Sequence, residues 1–224
     1  MSGACRKGKY FSVLGDSIST LQGANPADCA VFYDTARQWE SGVLLPADTW
    51  WGKVIAALGG ELLVNHAVSS STVTHLPIYE CPNYGCSDAR TAALGREGIV
   101  PDVVMVFMGI NDWGRGVPLA TFAEAYGLML QKLRKNYPAA ELWCLTLPVG
   151  TCTRQPTFVF PTAIAGVTQA QYNDAIRAVA AEHGGRLIEL YRPDAPYDTF
   201  DGYHPNAAGM QTVADGVLAC LREK

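Results

Sequence analysis

Four short segments of the chain carry side chains suited to chemistry. Gly15-Asp16-Ser17-Ile18-Ser19 sets a serine in a tight turn directly after an apolar run. A hydroxyl exposed there can act as a nucleophile once a base takes its proton. Gly-Asp-Ser is also ordinary turn chemistry, so this segment alone does not separate a nucleophile from a plain turn. Asp201-Gly-Tyr-His204-Pro205 lies near the other end. A histidine three residues after an aspartate can lay Nδ1 against the carboxylate, which fixes the tautomer and leaves Nε2 as a base. The same residues also suit a turn that caps the last helix. Gly109-Ile-Asn111-Asp112 follows a second apolar run, and an asparagine amide there can donate to an oxyanion. Asn65-His-Ala-Val-Ser-Ser-Ser71 is rich in groups that could hydrogen-bond near such a site. Of the remaining histidines, His183 precedes Gly184-Gly185 and reads as a helix C-terminal residue, while the roles of His66 and His75 stay open.

These segments need elements to position them, and the pattern supplies alternating strands and helices. Strands are predicted over Tyr10–Leu14, Leu62–Val64, Val103–Met108, Leu142–Leu147 and Arg186–Leu190. The third is apolar at every position, as a strand covered on both faces should be. Thr121-Phe-Ala-Glu124 and Thr168-Gln-Ala-Gln171 both match a capping box and predict helix starts. Phe122, Ala125, Met129 and Leu133 follow the first at helical spacing, and Tyr172, Ile176 and Val179 follow the second. A further helix is expected after Asp48, through Trp51, Val54, Ile55 and Leu58, stopping at Gly59-Gly60. A last one follows Asn206 through Met210, Val213, Val217 and Leu218. Strand–helix alternation predicts a parallel sheet with helices on both faces. With no linker or repeat in sight, residues 1–224 read as a single domain. Residues 20–48 and 148–167 are longer than ordinary connections, and long loops at the carboxyl ends of parallel strands are where such folds place ligands.

In this order, each after its own strand, the four segments resemble the blocks of the SGNH/GDSL hydrolase family. The blocks read Gly15-Asp16-Ser17, Asn65 to Ser71, Gly109 to Asp112 and Asp201 to His204. The chain is similar in particular to a bacterial subgroup with an inserted loop, a DTWW helix start (Asp48 to Trp51) and a GCSDxRT segment (Gly85 to Thr91). The resemblance implies a three-layer α/β/α sandwich around a flavodoxin-like five-stranded parallel sheet. It implies hydrolysis of an ester or thioester through an acyl-enzyme. Ser17 would attack, His204 would carry the proton, and Asp201 would orient His204. The oxyanion hole would take the Ser17 N–H, a backbone N–H at Ser70 and the Asn111 side chain. The chain departs from the family at one of these positions, since Ser69-Ser70 stands where Ser-Gly is usual. A serine at positive φ would be strained, and one at negative φ would narrow the site. The expectation is an active enzyme with a small acyl pocket and the Ser70 N–H toward the Ser17 hydroxyl. The substitution also raises the alternative of a non-catalytic carbohydrate-binding member of the same fold.

Composition narrows the remaining possibilities. The chain has 224 residues, nearly half apolar, only 17% charged, with net charge -4. The only dense basic stretch is Arg6-Lys7-Gly8-Lys9, which speaks against a nucleic-acid partner. No apolar run approaches the ~18 residues of a membrane-spanning helix, and no signal-peptide pattern opens the chain. It therefore reads as cytoplasmic as given; a leader removed beforehand would leave the same start. No Gly-rich phosphate loop or metal-ligand set is visible, so no cofactor is expected. Seven cysteines do not form a secreted disulfide pattern. Cys144 and Cys220 read as small buried hydrophobes. Cys81 and Cys86 are close enough to pair, or with His75 to hold a metal, though a plain loop is favoured. Phe32, Tyr33, Trp39, Trp113, Phe158 and Phe160 fall in or beside the loops near the four segments, where they either pack the loops or meet substrate. Aromatic faces suit sugar rings as well as acyl chains. A small-molecule or carbohydrate ester is therefore the expected substrate, with O-acetylated sugars among the candidates.

Overall fold

The computed structural model describes residues 8–77 and 83–222. Its strands, in chain order, are β1 (Tyr10–Gly15), β2 (Glu61–Asn65), β3 (Val103–Phe107), β4 (Glu141–Leu145), β5 (Gly150–Thr151), β6 (Ala163–Ile164), β7 (Val167–Thr168), β8 (Arg186–Ile188) and β9 (Tyr197–Asp198). Five of them form a fully parallel sheet in the order β2-β1-β3-β4-β8. All five residues of β3, at the centre, are buried, which explains why its sequence carries no polar alternation. The helices are α1 (Gln38–Ser41), α2 (Trp50–Ala57), α3 (Asp88–Ala92), α4 (Ile110–Gly114), α5 (Leu119–Asn136), α6 (Gln169–Glu182) and α7 (Ala207–Arg222). Helices α2 and α7 pack together as one layer, and α5 packs with α3 and α6 as the other. The result is the expected α/β/α sandwich with flavodoxin-like strand order.

Local chemistry accounts for most helix starts. Thr168 caps α6 by accepting the Gln171 N–H, and the Gln171 side chain returns to the Thr168 N–H at 2.9 Å. Asn206 Oδ1 accepts the Gly209 N–H at 3.0 Å and starts α7. One expectation fails. Helix α5 begins at Leu119, after Pro118, so Thr121 lies inside its first turn and caps nothing. The left-handed Gly116 turns the chain out of α4 and Pro118 fixes the entry angle, which together set the start earlier. Helix α2 follows Asp48 as expected, and Thr49 caps it, accepting the Gly52 N–H at 3.0 Å. The Asp48 carboxylate turns back instead to the Leu44 and Leu45 N–H groups.

The two long connections are not featureless. Residues 20–48 contain α1 and a 3-10 turn at Pro46–Asp48. In the later connection β5 pairs with β9, and β6 and β7 form a hairpin turning through Ala165 and Gly166, both at positive φ. Cys144 is buried as expected, whereas Cys220 is half-buried on α7. Cys86 is a buried free thiol; Cys81, considered as its partner, lies outside the described residues. Among the described residues no helix is long and apolar enough to cross a membrane, and no three His, Cys, Asp or Glu gather as a metal site.

Candidate active site

In the sheet, β1 lies between β2 and β3, so chain order reverses beside β1. Open parallel sheets bind ligands in the crevice at such a reversal, at the carboxyl ends of the strands. Ser17 follows β1 and Asn111 follows β3, on the two strands that flank this crevice.

Gly15 lets the chain turn sharply out of β1: a Cβ there would lie 2.7 Å from the Ser19 side chain. Ser17–Ser19 then forms one 3-10 turn capped by Asp16, whose Oδ1 accepts the Ile18 N–H at 3.1 Å. Burial pushes the Asp16 carboxyl up to about 7, against the Ile18 N–H and the Arg90 charge. Three side chains clamp the end of the turn. Trp50 Nε1 donates to Ser19 Oγ at 3.2 Å, while Trp51 Nε1 and Asn65 Nδ2 donate to the Ser19 carbonyl at 3.0 and 2.8 Å. The tryptophans of the DTWW segment thus hold the turn that carries Ser17.

The turn before α7 brings its residues to the same place. His204 Nε2 lies 2.9 Å from Ser17 Oγ, and His204 Nδ1 lies 2.7 Å from Asp201 Oδ2. Asp201 Oδ1 also accepts the N–H groups of Tyr203 and His204 at 3.0 and 2.7 Å. Burial works against the Asp201 charge, but the His204 hydrogen bond and those N–H groups hold its carboxyl below the usual range. An ionised carboxylate only accepts, so Nδ1 carries the proton and Nε2 is left to accept from the Ser17 hydroxyl. Asp198 has other partners, namely Asn206 and Thr153.

Helix α4 supplies the third group. Its N-cap Gly109 sits at φ 129°, a conformation that favours glycine. Asn111 Nδ2 donates to the Ser71 carbonyl at 3.0 Å. Asp112 accepts the N–H groups of Val73 and Thr74 at 2.8 and 3.0 Å. Together they fasten the segment after β2 to α4. Ser70 adopts φ 63°, a left-handed conformation that favours glycine, at a strain of about 1 kcal/mol. The neighbouring N–H groups of Ser69 and Ser71 are committed to the Ala30 and Val68 carbonyls.

Ser17, Ser70, Asn111 and His204 line one cleft of about 410 Å³. Its walls add Phe32, Ile110, Arg115, Ile164 and Tyr203. The aromatic residues divide. Phe32 stacks on His204, and Tyr203, at the cleft, packs against Phe158 and Phe160. Trp113 is buried in α4 beneath Phe160, with Nε1 donating to the Val167 carbonyl at 2.9 Å. Trp39 stands 86% exposed and does not line the cleft.

Nothing in the sequence pattern assigns a role to Arg90. This fully buried cation on α3 donates from Nη2 to the Gly15 and His66 carbonyls, both at 2.7 Å. From Nη1 it donates to Ser71 Oγ at 3.0 Å and to the Asn83 carbonyl at 2.8 Å. It therefore ties the Ser17 turn to the Ser70 segment. Its place within the GCSDxRT segment is visible, but nothing in its neighbours announces burial.

A flavodoxin-like parallel sheet with a Ser–His–Asp cluster at its carboxyl edge defines a three-layer α/β/α sandwich of the hydrolase type. The chain belongs to the GDSL-like lipase/acylhydrolase family, whose model matches residues 13–212. Among solved structures, a protein from Bacteroides ovatus described as a GDSL-like lipase matches at 24% identity and TM-score 0.74, covering 97% of this chain and all of that one. A second, from Bacteroides uniformis, matches at 28% identity and TM-score 0.71, covering 95% and 94%. A family two carbohydrate esterase from Clostridium thermocellum, in complex with cellohexaose, shares the fold at 18% identity and TM-score 0.64, covering 94% of this chain and 62% of that one. No curated protein matches the sequence. These comparisons support an esterase-type hydrolase.

Proposed function

We propose that the protein is a serine esterase that hydrolyses a carboxylic ester through an acyl-enzyme on Ser17. The observation that carries this reading is the unbroken run Ser17 Oγ, His204, Asp201 at 2.9 and 2.7 Å, opening on a cleft. Ser17 Oγ attacks the ester carbonyl carbon while His204 Nε2 takes the hydroxyl proton. The carbonyl π pair moves onto oxygen, and the oxyanion accepts from the Ser17 N–H, the Ser70 N–H and the Asn111 amide. Asn111 gives one amide hydrogen to the Ser71 carbonyl and keeps the other for the oxyanion. The intermediate then expels the alcohol, which receives the proton from Nε2. Water repeats the sequence on the acyl-enzyme and frees Ser17. Asp201 orients the imidazole and stabilises the imidazolium formed in each half.

The substrate we favour is a short acyl ester, with O-acetyl on a carbohydrate as the leading candidate. Tyr203 beside His204, backed by Phe158 and Phe160, offers the flat apolar surface on which a sugar ring can rest. The likeness in fold to a carbohydrate esterase supports the same reading. Release of p-nitrophenol from p-nitrophenyl acetate tests the reaction, and a panel of acyl esters and acetylated glycans tests the substrate. Ser17→Ala is expected to lower kcat by about 10⁴- to 10⁶-fold with the fold intact by circular dichroism. Near wild-type turnover by a clean preparation of that variant overturns the assignment.

A further inference from the structure

The loop after β1 places Phe32, packed against Tyr33 and Phe200, over the candidate site. The Phe32 ring lies flat on the His204 imidazole, with centroids 3.6 Å apart and planes 13° from parallel. Phe32 is itself tethered on several sides. The Thr20 hydroxyl accepts the Phe32 N–H at 2.8 Å and donates to the Ser17 carbonyl at 2.9 Å, so a single side chain joins Phe32 to the Ser17 turn. Arg37 Nη1 donates to the Phe32 carbonyl at 3.2 Å, and its guanidinium carbon lies 4.8 Å from the ring centroid. The next residue grips the same target, as the buried Tyr33 hydroxyl donates to the Pro205 carbonyl at 2.7 Å. Residues 32 and 33 thus hold His204 and Pro205 from a loop far away in sequence.

We propose that Phe32 is a positioning residue that keeps the His204 imidazole in register, above all during deacylation. The inference rests on the serine-esterase reading. In the free protein two hydrogen bonds aim the imidazole, one to Asp201 and one from Ser17. Acylation removes the second, because Ser17 Oγ then carries the acyl group in place of its proton. The Asp201 bond alone leaves the ring free to swing, and the Phe32 face is the closest ring against it, at 3.6 Å, with Phe200 tilted at 6.3 Å. In the next step the water oxygen attacks the acyl carbon and its proton passes to Nε2. The carbon–Oγ bond then breaks and Ser17 takes that proton back. This transfer needs Nε2 aimed at water.

Phe32→Leu keeps an apolar side chain but loses the flat face. It is expected to lower kcat on p-nitrophenyl acetate by about 10- to 100-fold with KM falling alongside it, so that kcat/KM changes less than about threefold, the size of kcat loss that a small misplacement of a reacting group causes. The burst of p-nitrophenol should grow as acyl-enzyme accumulates. Phe32→Tyr, which restores a flat ring, should recover most of the loss. Tyr33→Phe, which drops only the bond to Pro205, should lower kcat in the same direction by a smaller factor and serves if Phe32→Leu folds poorly. An independent reading comes from the proton NMR signal of His204 Nδ1–H, which should be sharp in the wild type, broadened in Phe32→Leu and sharp again in Phe32→Tyr. Unchanged kcat in Phe32→Leu, a loss confined to KM, or an unaltered Nδ1–H signal overturns the proposal. A wild type without esterase activity overturns the serine-esterase reading instead, and the NMR series still decides whether Phe32 holds the ring.

Discussion

Asp201 and His204 share one turn, so their pairing costs little chain entropy, whereas Ser17 must be brought to them across almost the whole sequence. The two partners should therefore fail differently. On the proposed mechanism His204→Ala removes the base and should lower kcat by about 10⁶-fold, as losing Ser17 should. Asp201→Asn keeps an oxygen that can accept from the Tyr203 and His204 N–H groups, and should cost only about 10⁴-fold. Steady-state kinetics of the pair check this, and an Asp201→Asn loss equal to that of His204→Ala would contradict it. Ser70 makes a separate case. Because its backbone already adopts φ 63°, Ser70→Gly changes the side chain and not the path of the chain. The variant should keep activity and accept bulkier acyl groups, with stability within about 1 kcal/mol, since relief of strain and added unfolded-state freedom oppose each other. A gain of several orders of magnitude from an inert parent would instead favour the non-catalytic reading. The Asp201-His204 turn and the turns bearing Ser17 and Asn111 were legible because each is a local pattern. Phe32 and Arg90 were not, because a stacked face or a buried guanidinium depends on residues brought together only by the fold.

At the scale of elements, the site depends on how three strand ends are fastened to one another. Arg90 on α3 is the main fastener, satisfying carbonyls at the end of β1 and just after β2 at once. Arg90→Met would leave those carbonyls without its donors and the nearby Asp16 without its cation. Urea unfolding should show a loss of about 3–5 kcal/mol, the range for breaking a buried charge arrangement. Arg90→Lys should recover only part, because an ammonium cannot reproduce the two-nitrogen fork. A loss below about 1 kcal/mol for Arg90→Met would mean that the loops are held in some other way. The same scale shows why helix starts were read unevenly. Thr168 and Asn206 act within their own first turns, so sequence suffices for them. Thr121 carries a correct capping pattern that Pro118 pre-empts, and Asp48 turns its carboxylate to the preceding turn. In both cases the route by which the chain arrives decides.

For the whole molecule, the strand order places the Ser17 and Asn111 turns side by side, and the price is a polar layer buried beneath them. Asp16 lies fully buried there, with its carboxyl pushed up to about 7. The folded form then binds this proton more tightly than the unfolded chain does, so stability falls as pH rises between about 4 and 7. Burial also raises Asp112, which adds a slope of the same sign. Asp201 is held below the usual range and has the opposite sign, contributing stability that is lost as pH falls through its folded value. His66 is lowered by burial and by Arg90, so its contribution is likewise lost on acidification, below about 6.5. These effects overlap in the wild type, but comparison with Asp16→Asn isolates one of them. The amide keeps an acceptor for the Ile18 N–H and carries no charge to desolvate. Relative to the wild type, Asp16→Asn should be stabilising by only about 1 kcal/mol at pH 4.5. It should be stabilising at pH 8, by at most on the order of 4 kcal/mol at 1.36 kcal/mol per pH unit. Thermal melts of both proteins at the two pH values check the difference. An equal difference at both would mean that Asp16 is ionised throughout, with Arg90 fully compensating its burial.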